Sequence, residues 1–356
     1  MNGERSSREP AGVDPASLRR VTALGAALLW LGLASGPLGA QSCTWGGVST
    51  VPPPQVTYLR SERNLLRAPG RVSVGVTDQR LTLDPETGRL LFHDEVGRLL
   101  EVWRPVKRPS AVAAAPKGRF WVADLAERSV ALFDADGTRI DRLGQGIGEF
   151  ELPVDLAIDP DPGLGSIYVV DAEADQVRVY APSGTLLRTI GSPGSGPGEL
   201  DFPVAVHVSA AGEVYVGDQS NDRVQVFQRD GTFLRCFGSR STTFSRRFGR
   251  IQSIASDAVG RIYVADAFQS NVRVFDAAGV LLSTIGTLGS APGELRTPAG
   301  MAIDGYGRLF VASRNNGRVE VYGLDDFGDP QPPPGSLIFA DGFEAGDTRR
   351  WTGGAP

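Results

Sequence analysis

Five copies of one short segment recur at a nearly constant spacing through the middle of this 356-residue chain. Each copy joins an apolar run to an Asp or a Ser, and the copies end 47, 47, 48 and 47 residues apart. Chance does not produce such a spacing, and a period of about 20 to 50 residues is typical of solenoids, propellers and repeat arrays. The copies are GRFWVAD (118–124), SIYVVD (166–171), EVYVGD (213–218), RIYVAD (261–266) and RLFVAS (308–313).

The residues around each copy follow a fixed order. An apolar segment after Pro comes first, then the repeated block, then an alternating run such as RVQVF (223–227). A D-G or S-G turn and a run such as TFLRCFG (232–238) complete the unit. Four short segments of period 2 between Gly, Asp and Asn turns are typical of an antiparallel meander. Four strands repeated every ~45 residues predict the blades of a β-propeller.

A sixth unit precedes these five, with RVSVGV (71–76), RLTLD (80–84), RLLFHD (89–94) and RLLEVW (98–103). In the last unit, RVEVY (318–322) leads into Gly/Pro-rich sequence instead of a fourth strand. We therefore predict an all-β, six-bladed β-propeller of four-stranded antiparallel blades. Its last blade needs a strand from elsewhere, because an open edge invites aggregation. QVTYL (55–59) and SLIF (336–339) are the two alternatives.

Units such as PVAVHVSAAGEVYVGDQSNDRVQVFQRDGTFLRCFG (203–238) resemble NHL repeats, and the resemblance covers residues 70–323. The D-x-x-N-D-R-V-x-V-F form is complete only at 218–227, since Ser129, Gln176 and Asn271 replace the Arg in other units. The resemblance implies a six-bladed propeller. It also implies a platform for protein, RNA or ligand, a sensor domain or, in a few members, a lyase or hydrolase with a metal in the central channel. Such a fold alone does not determine the function.

Residues 1–40 have the pattern of a secretory signal. Arg19 and Arg20 precede an apolar run at 21–33, and small residues follow at 34–40. About 13 apolar residues are fewer than the ~20 of a membrane-spanning helix, so we expect cleavage near Ala40, although a single-pass anchor stays open. The other segments contain no comparable apolar run, which predicts no membrane span. We expect the mature chain to be secreted or periplasmic. Association with the cell surface is one of the locations that this expectation includes.

The flanks of the propeller are short. Residues 41–69 form an N-terminal segment, and 324–336 form a linker containing DPQPPP (329–334), which should be extended. The tail 337–356 contains IFADGFEAGDTRRW, which resembles a D-G-F-E-S-G-D-x-x-x-W motif at the C-termini of many secreted bacterial proteins. A sorting or surface-retention signal, a passive appendage and the closing strand remain alternatives for this tail.

Charge and ligand-forming residues limit the chemistry. The net charge is −5, and removing residues 1–40 takes it to −6, which disfavours nucleic acid as a partner. Only two His and two Cys occur, which excludes a four-cysteine zinc site within one chain. The sequence therefore indicates no cofactor, with calcium expected only if the chain is an enzyme. We expect the repeated aspartates Asp124, Asp171, Asp218 and Asp266 to cap turns rather than form a calcium ring.

Two columns of the innermost strands are made mostly of small residues, as crowding near the propeller axis requires. His207 interrupts one column and Asp155 interrupts the other, in adjacent blades. A His beside a carboxylate is a candidate general base or half of a metal site, and local substitution with satisfied hydrogen bonds is the alternative. The columns are Ala113, Ala157, His207, Ala255 and Ala302, and Ala111, Asp155, Ala205, Ser253 and Gly300.

One linker between blades differs from the others. The segment GSRSTTFSRRFGR (238–250) lacks the Gly-Glu element of its sister linkers and carries two Phe and four Arg. Arg and aromatic residues favour contact surfaces, so this loop is the candidate partner-binding site. The alternative is a solvated loop that ends in a structural Phe. The four cations are Arg240, Arg246, Arg247 and Arg250.

The two cysteines are far apart in sequence. Cys236 lies in the outer strand of its blade, where we expect it to be half exposed. In an oxidising compartment two lone cysteines favour pairing, so a Cys43–Cys236 disulfide is one hypothesis, and an unpaired Cys43 is the other.

The sequence favours a secreted, monomeric binding or scaffold module that recognises a protein or a glycan on one propeller face. The competing function is a metal-dependent lyase or lactonase-like hydrolase with a channel site at Asp155 and His207. No G-x-S-x-G element supports a hydrolase elbow.

Overall fold

The computed structural model describes residues 43, 47–63, 65–75, 78–238 and 247–325. Within these ranges, twenty-four strands form six four-stranded antiparallel sheets, with two short 3-10 helices at Pro116–Gly118 and Arg314–Asn316. The sequence prediction of a six-bladed β-propeller with four-stranded blades is therefore confirmed. The proposed signal, Arg240, Arg246 and the C-terminal tail lie outside the described residues.

The first three blades follow one another along the chain. Blade 1 contains β2 (Arg71–Val74), β3 (Arg80–Asp84), β4 (Arg89–His93) and β5 (Leu99–Trp103). Blade 2 contains β6 (Pro109–Ala114), β7 (Phe120–Asp124), β8 (Ser129–Phe133) and β9 (Arg139–Arg142). Blade 3 contains β10 (Pro153–Ile158), β11 (Ile167–Asp171), β12 (Gln176–Tyr180) and β13 (Leu186–Ile190).

The other three blades complete the ring. Blade 4 contains β14 (Pro203–Val208), β15 (Val214–Asp218), β16 (Arg223–Phe227) and β17 (Phe233–Phe237). Blade 5 contains β18 (Ile251–Ser256), β19 (Ile262–Asp266), β20 (Asn271–Phe275) and β21 (Leu281–Ile285). Blade 6 contains β22 (Pro298–Ile303), β23 (Arg308–Ser313), β24 (Arg318–Leu324) and β1 (Val56–Glu62).

The N-terminal strand closes the ring. β1 pairs antiparallel with β24, from Val56 opposite Leu324 to Glu62 opposite Val319. Of the two strands considered from sequence, the one near residue 55 thus occupies the outer position of blade 6. The inner strands contact one another in the order β2, β6, β10, β14, β18, β22 and back to β2. Closure leaves no radial edge between the first and last blades.

The hydrophobic core lies between adjacent blades. The second strand of every blade is buried along its whole length, because other blades cover both of its faces. Between blades 4 and 5, Phe248 is 1% exposed and packs its ring 5.7 Å from that of Phe275. Phe248 therefore has a structural role at the end of its linker.

In the four repeated blocks that end in Asp, this aspartate holds the start of the inner strand. Asp171 Oδ1 accepts a hydrogen bond of 2.7 Å from the amide of Leu152, just before β10. Asp218 and Asp266 accept equivalent bonds from the amides of Asp201 and Arg250. Asp readily accepts local backbone N–H groups, so this repeated residue is explained by the blade itself.

These bonds also orient each blade. Because Asp171 is paired with Pro153, the end of the second strand and the start of the inner strand share one end of the propeller. The linkers between blades lie at this end, which we call the linker end. The turns after the inner strands lie at the opposite end, which we call the turn end.

Candidate functional site in the central channel

The inner strands of all six blades surround a cavity of about 320 Å³ on the propeller axis. The complete column that contains His207 lines this cavity, together with Asp155 and Ser253 from the second column. Alanines supply most of that column because six strands converge near the axis and leave little room for side chains.

Arg71 closes the cavity at the linker end. Its Nη1 and Nη2 groups donate hydrogen bonds to backbone carbonyls in four other blades, and its Nε lies 3.2 Å from Asp155 Oδ1. The four Nη–H groups of Arg71 thus bond to the protein, and its Nε group faces the Asp155 carboxylate. Each carbonyl belongs to the second residue of an inner strand: Val154, Val204, Gln252 and Ala299.

Asp155 belongs to this closure. Its Oδ2 accepts a hydrogen bond of 3.0 Å from the amide of Val206, and its Oδ1 faces Arg71. Burial raises the pKa of the Asp155 carboxyl, and the positive charge of Arg71 opposes that rise. The pair joins blades 1, 3 and 4 at the axis.

His207 has a different partner from Asp155. Its Nε2 lies 2.7 Å from Ser256 Oγ, across the interface between β14 and β18. Both side chains line the cavity and are partly accessible. Burial lowers the pKa of His207 to about 4, because an imidazolium there would lose its hydration. The ring is therefore neutral near pH 7. The structure thus places His207 and Asp155 in one cavity but does not bring them into contact.

The channel residues do not suit a divalent cation. Both Asp155 oxygens are engaged, and the Arg71 charge beside them would repel a second cation. Within the described ranges, no group of three or more His, Cys, Asp or Glu could hold a metal ion.

The distinctive linker is described only from residue 247 onward, so Arg240 and Arg246 cannot be placed. The Arg247 carbonyl accepts hydrogen bonds from the side chains of Gln269 and Arg273. The Arg250 side chain is exposed.

Phe268 lies beside this linker, in the turn after β19. It is 63% exposed. A Cβ atom added to Gly249 would come within 2.8 Å of Phe268 Cβ, so Phe268 lies directly over Gly249. We call Arg250 and Phe268 the linker-end patch.

Cys43 and Cys236 form a disulfide in the structure, with their Cα atoms 4.7 Å apart. Cys236 is 4% exposed, so the expectation that it is half exposed is wrong. Its Sγ is bonded to Cys43 instead of facing solvent.

Sequence reasoning missed Arg71 and Ser256. Arg71 stands opposite Leu83, one residue before Asp84, as Asp155 stands opposite Val170 before Asp171. Aligning blade 1 on Asp84 would have put Arg71 in the column of Asp155. No pattern in the sequence distinguishes Ser256 from the other serines of the inner strands.

Comparison with known proteins supports the architecture. A family model described as "6-bladed beta-propeller" matches residues 240–329. No curated protein sequence matches the chain. No helix among the described residues is long and apolar enough to cross a membrane.

Solved structures of lyases are similar in fold. A streptogramin B lyase is 10% identical, with a TM-score of 0.56 over 76% of this chain and 98% of that one. Virginiamycin B lyase from Staphylococcus aureus is 11% identical, with a TM-score of 0.57 over 76% of this chain and all of that one. A catalytically inactive His-to-Ala variant of that lyase with quinupristin is 12% identical, with a TM-score of 0.56 and the same coverage. At this identity the likeness shows the fold alone.

Proposed function

We propose that this propeller is a binding module that recognises a protein or a glycan at its linker end. The observation that carries this proposal is the linker-end patch on an acidic protein, in which the largely exposed Phe268 lies over Gly249, the residue before the exposed Arg250. Aromatic and Arg side chains supply most of the energy of many protein interfaces. Arg71 closes the channel at this same end, so a partner there meets a surface rather than a pore.

Paired variants test the patch. Phe268→Ser with Arg250→Ala removes both contacts, whereas Val259→Ser changes an equally exposed residue, 67% accessible, at the turn end. We expect any ligand found with the purified protein on a glycan array or in a surface-protein binding screen to lose at least tenfold in affinity with the first variant only. A ligand that binds both variants equally would contradict the assignment.

The charge arrangement of the channel supports binding over the metal-dependent lyase or hydrolase alternative. Arg71 already neutralises the carboxylate that such a site would use. We expect elemental analysis of the purified protein to find neither stoichiometric calcium nor zinc. A bound metal that is lost with Asp155→Asn would favour the enzyme. We also propose that the protein is a monomer. Light scattering of the protein as it elutes from a size-exclusion column tests this.

We further propose that the chain acts outside the cytoplasm after removal of residues 1–40. The Cys43–Cys236 disulfide supports this, because such bonds persist mainly in oxidising compartments. Fractionation and N-terminal sequencing should find a periplasmic or released protein that begins near Gln41. A full-length cytoplasmic protein would contradict the proposal.

We also propose that the repeat is of the NHL type and that the C-terminal tail is a sorting or surface-retention signal. The D-x-x-N-D-R unit supports the first, since Asp218 binds Arg223 Nε at 2.7 Å and Asn221 Nδ2 at 3.0 Å. For the tail, deletion of residues 337–356 should move the protein from the cell surface to the medium if it is a retention signal. An unchanged distribution would indicate a passive appendage.

A further inference from the structure

The channel contains a pair of side chains that the proposed binding function does not use. Ser256 Oγ and His207 Nε2 are 2.7 Å apart and both line the cavity. A serine nucleophile and its base need this separation, about 2.6–3.2 Å, for proton transfer. Neither residue touches the Arg71 closure, so the pair is independent of the ion pair that holds the blades together.

The neutral imidazole of His207 can accept a proton, but burial lowers its pKa to about 4 and so makes it a weaker base than an ordinary imidazole. At neutral pH the imidazole is uncharged, since its burial disfavours the imidazolium. Among the described residues, Nδ1 has no hydrogen-bond partner, so the pair is a dyad without a third member. We therefore expect a reaction slower than that of a full Ser-His-Asp triad.

The cavity limits what reaches the pair. Its volume of about 320 Å³ is near the lower end for ligand pockets, and its lining combines small apolar side chains with polar groups that include Ser73 and Ser253. It extends from the Arg71 closure past His207 to Pro160, in the turn after β10. Because the Asp155 carboxylate balances the charge of Arg71, this site offers no net positive charge to an anion. A compact, uncharged molecule fits these walls.

We propose that Ser256 and His207 form a nucleophile–base pair that accepts the acyl group of a compact, uncharged ester. Ser256 Oγ attacks the carbonyl carbon while its proton passes to His207 Nε2. The C–O bond to the alcohol then breaks, and the alcohol leaves with that proton. Water then attacks the acyl carbon and gives a proton to His207 Nε2. The bond between that carbon and Ser256 Oγ breaks, Oγ takes the proton back from His207, and the acid is released. This activity goes beyond binding at the linker end and does not depend on it.

A fluorophosphonate probe tests the pair directly, because it reacts with activated serines and forms a stable adduct. Mass spectrometry of the full-length protein should find one adduct per chain, located on Ser256. Ser256→Ala should abolish the adduct. Ser110→Ala is the matched control, since Ser110 also lies on an inner strand and bonds through its Oγ to a neighbouring blade, at the Pro153 carbonyl, but is not among the residues that line the cavity. That variant should be labelled at the wild-type rate.

The role of the base needs its own variants. His207→Gln keeps a polar side chain beside Ser256 but removes the base, and His207→Ala removes both. We expect labelling to slow at least 100-fold in each, with melting temperatures showing that both remain folded. An unlabelled wild-type protein, labelling only at other residues, or a His207→Gln variant labelled at the wild-type rate would overturn the proposal.

Discussion

At the scale of single residues, Arg71 does most to hold the axis of the propeller. It bonds to carbonyls of blades 3, 4, 5 and 6 and lies beside a carboxylate of blade 3. Lys cannot replace it, because an ammonium group has three donors and no planar fork. One side chain from blade 1 thus links most of the ring.

Arg71→Met tests this role. The variant leaves the Asp155 carboxylate buried without its counter-charge, so we expect a loss of about 3–5 kcal/mol in the free energy of unfolding. Adding Asp155→Ala should recover part of the loss. Arg98→Met is the control, since Arg98 pairs with Asp94 at the surface and should cost less than about 1 kcal/mol. Urea denaturation of the wild-type protein and the three variants measures their free energies of unfolding. A loss for Arg71→Met equal to that of the control would refute the role.

His93 provides a second test at this scale. It is 1% exposed, and burial together with the nearby Arg80 lowers its pKa to about 3. Below the ordinary pKa of about 6.5, the unfolded chain takes up a proton that the folded protein does not. Stability contributed by neutral His93 is therefore present above pH 6.5 and falls as the pH drops toward 3.

The expected loss from His93 is about 2 kcal/mol between pH 7.5 and pH 5. Denaturant unfolding at the two pH values measures it. His93→Leu should show a pH dependence smaller by that amount, because Leu has no proton to take up. The same dependence in both proteins would show that other groups cause it.

At the scale of elements, glycine is required in the linkers and in the turns for different physical reasons. Gly191 and Gly260 both have φ of +87°. A Cβ at Gly191 would lie 2.8 Å from Cγ of the buried Leu200, whereas nothing lies within 4 Å of one at Gly260. Gly260 is thus required by backbone conformation alone, and Gly191 by conformation and packing.

Alanine substitution separates these two reasons. Gly260→Ala should cost about 1 kcal/mol from the positive φ. Gly191→Ala should cost about 1–3 kcal/mol more, because its methyl group overpacks the layer around Leu200. Thermal and urea unfolding of the two variants provide the comparison. Equal costs would mean that Leu200 moves aside freely.

The strands themselves were largely predictable from sequence. The alternating run RVQVF (223–227) predicts one strand, and β16 is Arg223–Phe227. The run TFLRCFG (232–238) extends one residue beyond each end of β17, Phe233–Phe237. Period-2 alternation is a local property, and the blade is built from neighbouring segments, so a single sequence suffices. The His207–Ser256 contact joins different blades, and alternation carries no information about it.

At the scale of the whole molecule, the N-terminal segment is attached to the propeller in two ways, by strand pairing and by a disulfide. β1 completes blade 6, and Cys43, before β1, is bonded to Cys236 of blade 4. The disulfide closes a loop with a sequence separation of 193 residues, so it restricts much of the unfolded chain. Covalent and hydrogen-bonded closure therefore depend on the same short segment.

Removal of the disulfide should destabilise the propeller by about 2–4 kcal/mol. The change is Cys43→Ala with Cys236→Ala, compared with the oxidised wild-type protein in denaturant unfolding. Wild-type protein treated with reductant should approach the variant, and the variant itself should not respond to reductant. An oxidised wild-type protein no more stable than the variant would show that β1 pairing alone provides the closure.

By itself the sequence determined the number of blades, the four strands of each blade and the small residues that line the axis, because repetition and alternation are written into neighbouring residues. Only the tertiary structure decided which strand closes blade 6, that Arg71 rather than His207 meets Asp155, and that His207 meets Ser256. Those contacts depend on how six similar blades are arranged around one axis. Side chains from blades distant in sequence converge there, and their pairing follows from distance in space, which a single sequence does not record.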